Sequence, residues 1–156
     1  MKPRLLAGLT GLALAAVLLA PTAALATDTE TVHFHMTDVQ PDTNPCSGAS
    51  GSLTVDLRGV SHITTLDNGT YHETSTATGT FRFVPNDAGQ PTYSGHATFW
   101  DGENQNLKSF TATFTGNIIL HGSDVSLLKL QLLSHVTVNA NGTVTSSIET
   151  ERLTCR

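Results

Sequence analysis

The sequence predicts an all-β protein: a single antiparallel up-and-down β-barrel with one disulfide, a β-sandwich being the alternative. Three observations lead there. Apolar and polar residues alternate with period two in seven runs between Thr29 and Cys155. Asn68-Gly69 and Asn141-Gly142 each sit between two such runs, and Asn-Gly is the strongest short hairpin signal, because a type I′ turn needs positive φ at both central positions. Cys46 and Cys155 are the only cysteines, so an oxidised chain has one internal pairing available. No helical periodicity competes. Threonine is abundant instead, and its branched β-carbon suits a pleated strand.

The N-terminus sets the compartment. Met1-Lys2-Pro3-Arg4 is followed by a largely apolar run from Leu5 to Ala20, then Pro21 and the small-residue end Ala24-Leu25-Ala26. A basic start, an apolar stretch and an A-x-A end predict a secretory signal peptide over residues 1–26, cleaved after Ala26. A retained membrane anchor is the alternative, and the A-x-A end argues against it. Residues 27–156 then form one secreted domain, short enough for a single core. Loss of Lys2 and Arg4 takes Lys+Arg from 8 to 6 against 13 Asp+Glu, a net charge of −7. An acidic domain without basic clusters argues against nucleic acid and anionic membranes as partners. Export permits a Cys46–Cys155 bridge. Closing so long a loop is worth roughly 4–5 kcal/mol at most.

The elements follow in order. Strand one covers about Thr29–Val39, with Val32, Phe34 and Met36 on one face and His33, His35 and Thr37 on the other. Pro41 is expected to end it, since proline cannot donate to a ladder, and Pro41–Gly51 reads as a loop. Strand two covers about Ser52–Leu66. Leu53, Val55 and Leu57 alternate, and a parity change after Gly59 suggests a bulge or bend. Strand three, about Thr70–Val84, carries Tyr71, Ala77, Phe81 and Phe83 on one face. Strand four, about Thr92–Trp100, sets Tyr93, Ala97 and Phe99 against His96 and Trp100, and Asp101–Asn104 is expected to turn the chain. Strand five, about Leu107–His121, aligns Phe110, Phe114, Ile118 and Leu120; strand six, about Val125–Asn139, aligns Leu128, Leu130, Leu132 and Val136. Strand seven, about Thr143–Cys155, ends at the bridge. Phe34, Leu53, Val55, Leu57, Phe81, Phe99, Phe114, Leu130 and Val136 are expected to share one interior.

Candidate chemistry is sparse. Seven histidines are present. His33 and His35 share one strand face about 7 Å apart, a spacing that serves a metal if a neighbouring strand brings a third ligand. His62, His72, His96, His121 and His135 are the possible third ligands; histidines on a half-wet strand face are the more ordinary outcome. Glu149 and Glu151 share a face, with Glu73 elsewhere, and a solvated face accounts for them more simply than acid–base work. No G-x-S-x-G context supports a Ser-His-Asp site, so no catalytic residue and no cofactor are predicted. Asn68-Gly69-Thr70 and Asn141-Gly142-Thr143 match the glycosylation sequon, and turn chemistry explains both. Trp100, with Tyr93 and Phe99 nearby, is a candidate aromatic contact for a sugar or apolar ligand; a buried anchor for strand four is the alternative.

The chain also resembles an uncharacterised group of small secreted all-β proteins of actinobacteria. The likeness is carried by Phe34-His35-Met36, Asn44-Pro45-Cys46-Ser47-Gly48, Asn68-Gly69-Thr70-Tyr71-His72, Pro91–His96, Gly102-Glu103-Asn104, Val136–Gly142 and the closing Leu153-Thr154-Cys155. The N-P-C segment and the terminal L-T-C are its distinctive parts. The resemblance implies export and an all-β domain, and brings no catalytic residues. Ala49 departs from it, standing where the group has an acidic residue.

The functional expectation is a secreted, disulfide-stapled β-barrel that binds a small apolar or amphipathic ligand, or a partner at the cell surface. A barrel enzyme of cyclase or isomerase type and a histidine-based metal binder are the alternatives, since a fold alone does not choose among them. Oligomeric state is not set by the sequence.

Overall fold

The computed structural model describes residues 27–156; the expected signal peptide, residues 1–26, lies outside them. Seven strands follow in order: β1 (Thr27–Thr43), β2 (Ser50–Leu66), β3 (Tyr71–Pro85), β4 (Tyr93–Gln105), β5 (Ser109–Gly122), β6 (Leu127–Asn139) and β7 (Val144–Cys155). Each pairs antiparallel with the next, giving one sheet of order β1-β2-β3-β4-β5-β6-β7. No helix among the described residues is long and apolar enough to cross a membrane.

The expected barrel is corrected by this topology. β1 and β7 do not pair, so the sheet is open; being a single sheet, it is not a sandwich either. Two physical reasons oppose closure. Seven strands in an antiparallel meander leave β1 and β7 running the same way, so closing the ring would require a parallel pair. The two edges also carry like charge on the face that would be enclosed: Asp28, Glu30 and Asp38 on β1, Glu149 and Glu151 on β7. Like charges set opposite one another destabilise strand pairing.

The open sheet is nevertheless strongly curled. Cys46 and Cys155 are bonded, with Cα atoms 5.8 Å apart. In a flat sheet β2 and β7, five intervals apart, would be separated by about 24 Å. The four residues from Ser50 back to Cys46 reach roughly 14 Å at most. Only a sheet rolled on itself brings the β1–β2 loop to the end of β7. Glycines on the inner side permit the roll: a Cβ on Gly79 would overlap the Asp56 carbonyl oxygen, and one on Gly95 that of Ile119. The result is a trough, clasped by the disulfide at one end and open along the β1/β7 seam.

The core lies at the clasped end of the inner face. Val55, Leu57, Phe81, Phe83, Tyr93, Ala97, Leu120 and Leu128 are buried, with Leu53, Phe99, Ile118 and Leu130 packed against them. The expected interior set shares this face, but unevenly. Val55, Leu57 and Phe81 are buried, whereas Phe34 on edge strand β1 is 39% exposed and Phe114 is 36% exposed. Phe114 stacks on Phe99 at 5.9 Å between centroids.

Three local expectations also change. β1 continues through Pro41 to Thr43, which an edge strand tolerates because one side of its backbone needs no partner. Both ladders of β2 run past Gly59 without a register shift, so no bulge lies there. Gly59 faces inward, and a Cβ on it would strike the Phe34 ring; the glycine makes room for that ring. The irregularity falls instead between Thr137 and Val138, in the β6–β7 ladder. Finally, the Asn-Gly turns have positive φ at Gly69 and Gly142 alone. Gly69 N–H donates to Leu66 O at 2.9 Å, and Gly142 N–H to Asn139 O at 3.0 Å. These are three-residue turns ending in a left-handed glycine rather than type I′ pairs. Asn68 Oδ1 accepts the Thr70 N–H at 2.9 Å, a side-chain bond that competes with the two-residue geometry.

Candidate functional site

Because side chains alternate along every strand, the ladders, regular except at Thr137/Val138, assign each charged strand residue to a face. The result is a strong partition. All seven histidines, together with Arg58, Arg82, Lys129 and Arg152, point to the outer face. Asp28, Glu30, Asp38, Asp42, Glu73, Asp101, Glu103, Glu149 and Glu151 point inward, and Asp56 is the one strand-borne carboxylate on the outer side.

At the clasped end the inner face is apolar. Leu53, Phe81, Phe83, Ile118, Leu128 and Leu130 line a cavity of about 120 Å³ beneath the chain at Asp42–Pro45. That is well short of the roughly 300–1,000 Å³ of ordinary ligand pockets. Asn44, 3% exposed, holds the loop that covers it. Its Oδ1 accepts the N–H groups of Cys46 (2.8 Å) and Ser47 (3.3 Å), its N–H donates to Ala49 O, and its carbonyl accepts the Gly48 N–H. The N-P-C segment is thus a device for presenting Cys46 to Cys155.

At the open end the same face turns acidic. Tyr71 Oη donates a short hydrogen bond to Glu73, whose other oxygen accepts Ser75 Oγ–H at 3.1 Å; Ser75 and Ser61 hydroxyls meet at 2.7 Å. The Glu73 bond, helped by burial and the charges of Glu73, Glu103 and Asp101, pushes the Tyr71 phenol up to about 12. Burial, then the Glu73 charge, raises the Asp101 carboxyl above the usual aspartate range against a lowering bond from Ser75. Sequence reasoning missed Asp101 and Glu103 because it ended strand four at Trp100. β4 runs on to Gln105, and continued parity would have placed both with Phe99.

The larger concavity lies on the outer face. A groove of about 510 Å³ crosses β4 to β7, lined by Thr98, Trp100, Thr115, Asn117, Gln131, Leu133, Thr150 and Arg152. Two ladder rungs supply it: Thr98–Asn117–Gln131–Arg152 and Trp100–Thr115–Leu133–Thr150. Trp100 is 39% exposed, in mid-strand rather than at a strand end. Its six-membered ring lies on Gly102, where a Cβ would come within 2.8 Å of Cη2. The missing side chain leaves room for the indole over Gly102, and the ring stays partly exposed. Arg152 has no carboxylate at ion-pair distance among the described residues, so its charge is free for a ligand. Apart from Trp100, the groove residues were invisible in the sequence, because they come from four strands and only the register unites them.

The other sequence candidates fall as follows. Tyr93 is on the inner face, buried, its Oη accepting Ser126 Oγ–H at 2.8 Å, so it and Trp100 are on opposite sides of the sheet. His35 Nε2 lies 2.9 Å from Asp56 Oδ1, and His62 Nδ1 lies 3.0 Å from Thr31 Oγ1, while His33 pairs across to Val60. Among the described residues no group of three or more His, Cys, Asp or Glu side chains is placed to hold a metal ion. Glu149 and Glu151 are exposed on β7, on the inner side.

No family model matches the chain, and neither a curated protein nor a solved structure matches it.

Proposed function

We propose that the protein is an exported binding domain whose ligand is amphipathic and ring-bearing, of the chemistry of a pyranose in a cell-surface glycan, and that this ligand sits in the outer groove. The observation that supports it is a partly exposed Trp100, its ring seated over Gly102, lining a groove of ligand size. A sugar ring has one face of C–H groups and a rim of hydroxyls. The indole face and Leu133 suit the first; Asn117, Gln131 and Arg152 suit the second, as donors and acceptors that fix orientation. The clasped interior is too small for this role, and its apolar side chains serve as packing. Residues 1–26, with their basic start and A-x-A end, support export, and mature protein should start at Thr27.

Trp100 is the only tryptophan, so intrinsic fluorescence reports on this groove alone. Titration with a panel of neutral and uronic-acid oligosaccharides should shift or quench the emission saturably. Trp100→Ala should remove binding measured by calorimetry, and Trp100→Phe should weaken it by about tenfold, since a smaller ring stacks less. Unchanged emission and no heat across the panel would refute the reading.

A further inference from the structure

The two sheet edges are left without a strand to join them. Among the described residues no strand pairs with β1 beyond β2 or with β7 beyond β6, and both edges run toward the disulfide clasp, β1 ending at Thr43 and β7 at Cys155. A single extended strand between them can be antiparallel to both at once. It would complete an eight-stranded meander, an even number that closes without a parallel pair. The edge side chains on the inner face are those a closed barrel would cover: Val32, Phe34, Met36 and Leu153 are all exposed large apolar residues, Met36 at 48%.

Charge identifies the occupant. The inner side of β1 sets Val32, Phe34 and Met36 between Glu30 and Asp38, and the inner side of β7 carries Glu149 and Glu151. The seam is therefore apolar and acidic together. Lysine and arginine match both, laying an aliphatic stem on one and a cationic head at the other. Deeper on the same inner face stand Glu73, Asp101 and Glu103, and no Lys or Arg on any strand points inward. A second copy fits badly. β1 carries Asp28, Glu30, Asp38 and Asp42 and no Lys or Arg, so self-pairing sets carboxylates against carboxylates. Inward charges of this kind guard an edge against its own kind while leaving it open to the opposite sign.

We propose that the β1/β7 seam accepts an extended, basic segment of a partner protein as an eighth strand, antiparallel to both edges, with lysines or arginines at alternate, inward positions. This is β-strand addition, in which main-chain bonds give affinity and alternate side chains give selectivity. It rests on the seam and the inner face, and is independent of the Trp100 groove on the other side.

The test uses the oxidised protein and a synthetic eleven-residue peptide of alternating threonine and lysine, with three controls: alternating threonine and glutamate, the lysine peptide scrambled to break alternation, and the lysine peptide N-methylated at every second residue along each backbone edge. Calorimetry measures affinity, and hydrogen exchange locates the peptide. The alternating lysine peptide should bind and slow exchange in β1 and in β7. The controls should bind at least about tenfold more weakly, as should the lysine peptide to Glu149→Lys/Glu151→Lys, whose changes are exposed and should leave the thermal melt unaltered. Protection at one edge only, protection confined to the centre of the sheet, or equal binding of the N-methylated peptide would overturn the proposal. So would concentration-dependent protection of β1 without any peptide, which would assign the edge to a second copy.

Discussion

The inner face of the sheet has two halves made from the same strands. In the clasped half, the rungs through Val55, Phe81, Leu120 and Leu128 end at Cys155, and from β2 to β6 the inward side chains are apolar and mostly buried. In the open half, the rungs through Glu73 and Glu103 or Ser75 and Asp101 carry hydroxyls and carboxylates, most of them partly wet although Ser75 is buried. Alternation is equally good in both, so strand periodicity does not distinguish them. What differs is the chemistry of the inward set, and therefore what each half does. One half holds the protein together; the other leaves apolar side chains at its edge, Val32 and Phe34 among them, partly exposed.

The sharpest way to break this contrast is a matched pair of phenylalanines. Phe81 is 9% exposed within the core, and Phe114 is 36% exposed at the border of the acidic half. Phe81→Ala should cost about 3–5 kcal/mol, the range for a buried ring. Phe114→Ala should cost about 1–2 kcal/mol, because part of its surface never leaves water and its main partner is the Phe99 ring. Denaturant unfolding measures both. Equal losses would mean that the open half is packed as the clasped half is.

The clasp itself comes next. Cys155→Ser releases a bridge spanning 109 residues and should lower stability by about 2–5 kcal/mol. The loss should be accompanied by faster hydrogen exchange in the β1–β2 loop and the end of β7, with the Tyr71–Ser75 end little changed. Uniformly faster exchange would show that the two halves unfold as one unit.

Asn44→Ala probes the same half without touching the bond. It strips the acceptor from two backbone N–H groups beside Cys46 and should cost about 1–3 kcal/mol. In oxidised protein the loss should be smaller than in Cys155→Ser protein, if the bridge already holds the loop in place; a double-mutant cycle reads that coupling.

These elements show how far the fold was legible. Seven strands and the face assignment of Leu53, Val55, Phe81 and Phe99 followed from alternation, a strictly local signal. The single bridge followed from a count of two cysteines. Closure did not follow, because it depends on how the first and last strands meet, and local periodicity carries nothing about that. Yet the strand count held the clue: an odd number leaves parallel edges. The Trp100 groove was hidden for a related reason. Thr98, Asn117, Gln131 and Arg152 form one rung only when four strands are in register. Asp101 and Glu103 were lost through a strand end placed too early, at a Gly102 that looked like a turn and in fact seats the indole.

The smallest expected effect tests the open half directly, through pH. Asp101 is half-exposed, and burial followed by the Glu73 charge holds its carboxyl above the ordinary aspartate range, near 3.9. A raised value in the folded state means that folding favours the protonated acid. The associated stability is therefore fully present below the ordinary aspartate value and is lost as pH rises through the raised one. Asparagine keeps the size and an oxygen able to accept the Ser75 hydroxyl, but it never ionises. Asp101→Asn should thus melt slightly above wild type at pH 7, and the difference should shrink to nothing as pH falls below about 4. Phe81→Ala, which removes no titrating group, should keep its deficit at both pH values. If Asp101→Asn melted lower than wild type at pH 7, the carboxylate would be a net stabilising group there, and the open half would hold its acids by favourable bonds rather than merely tolerate them.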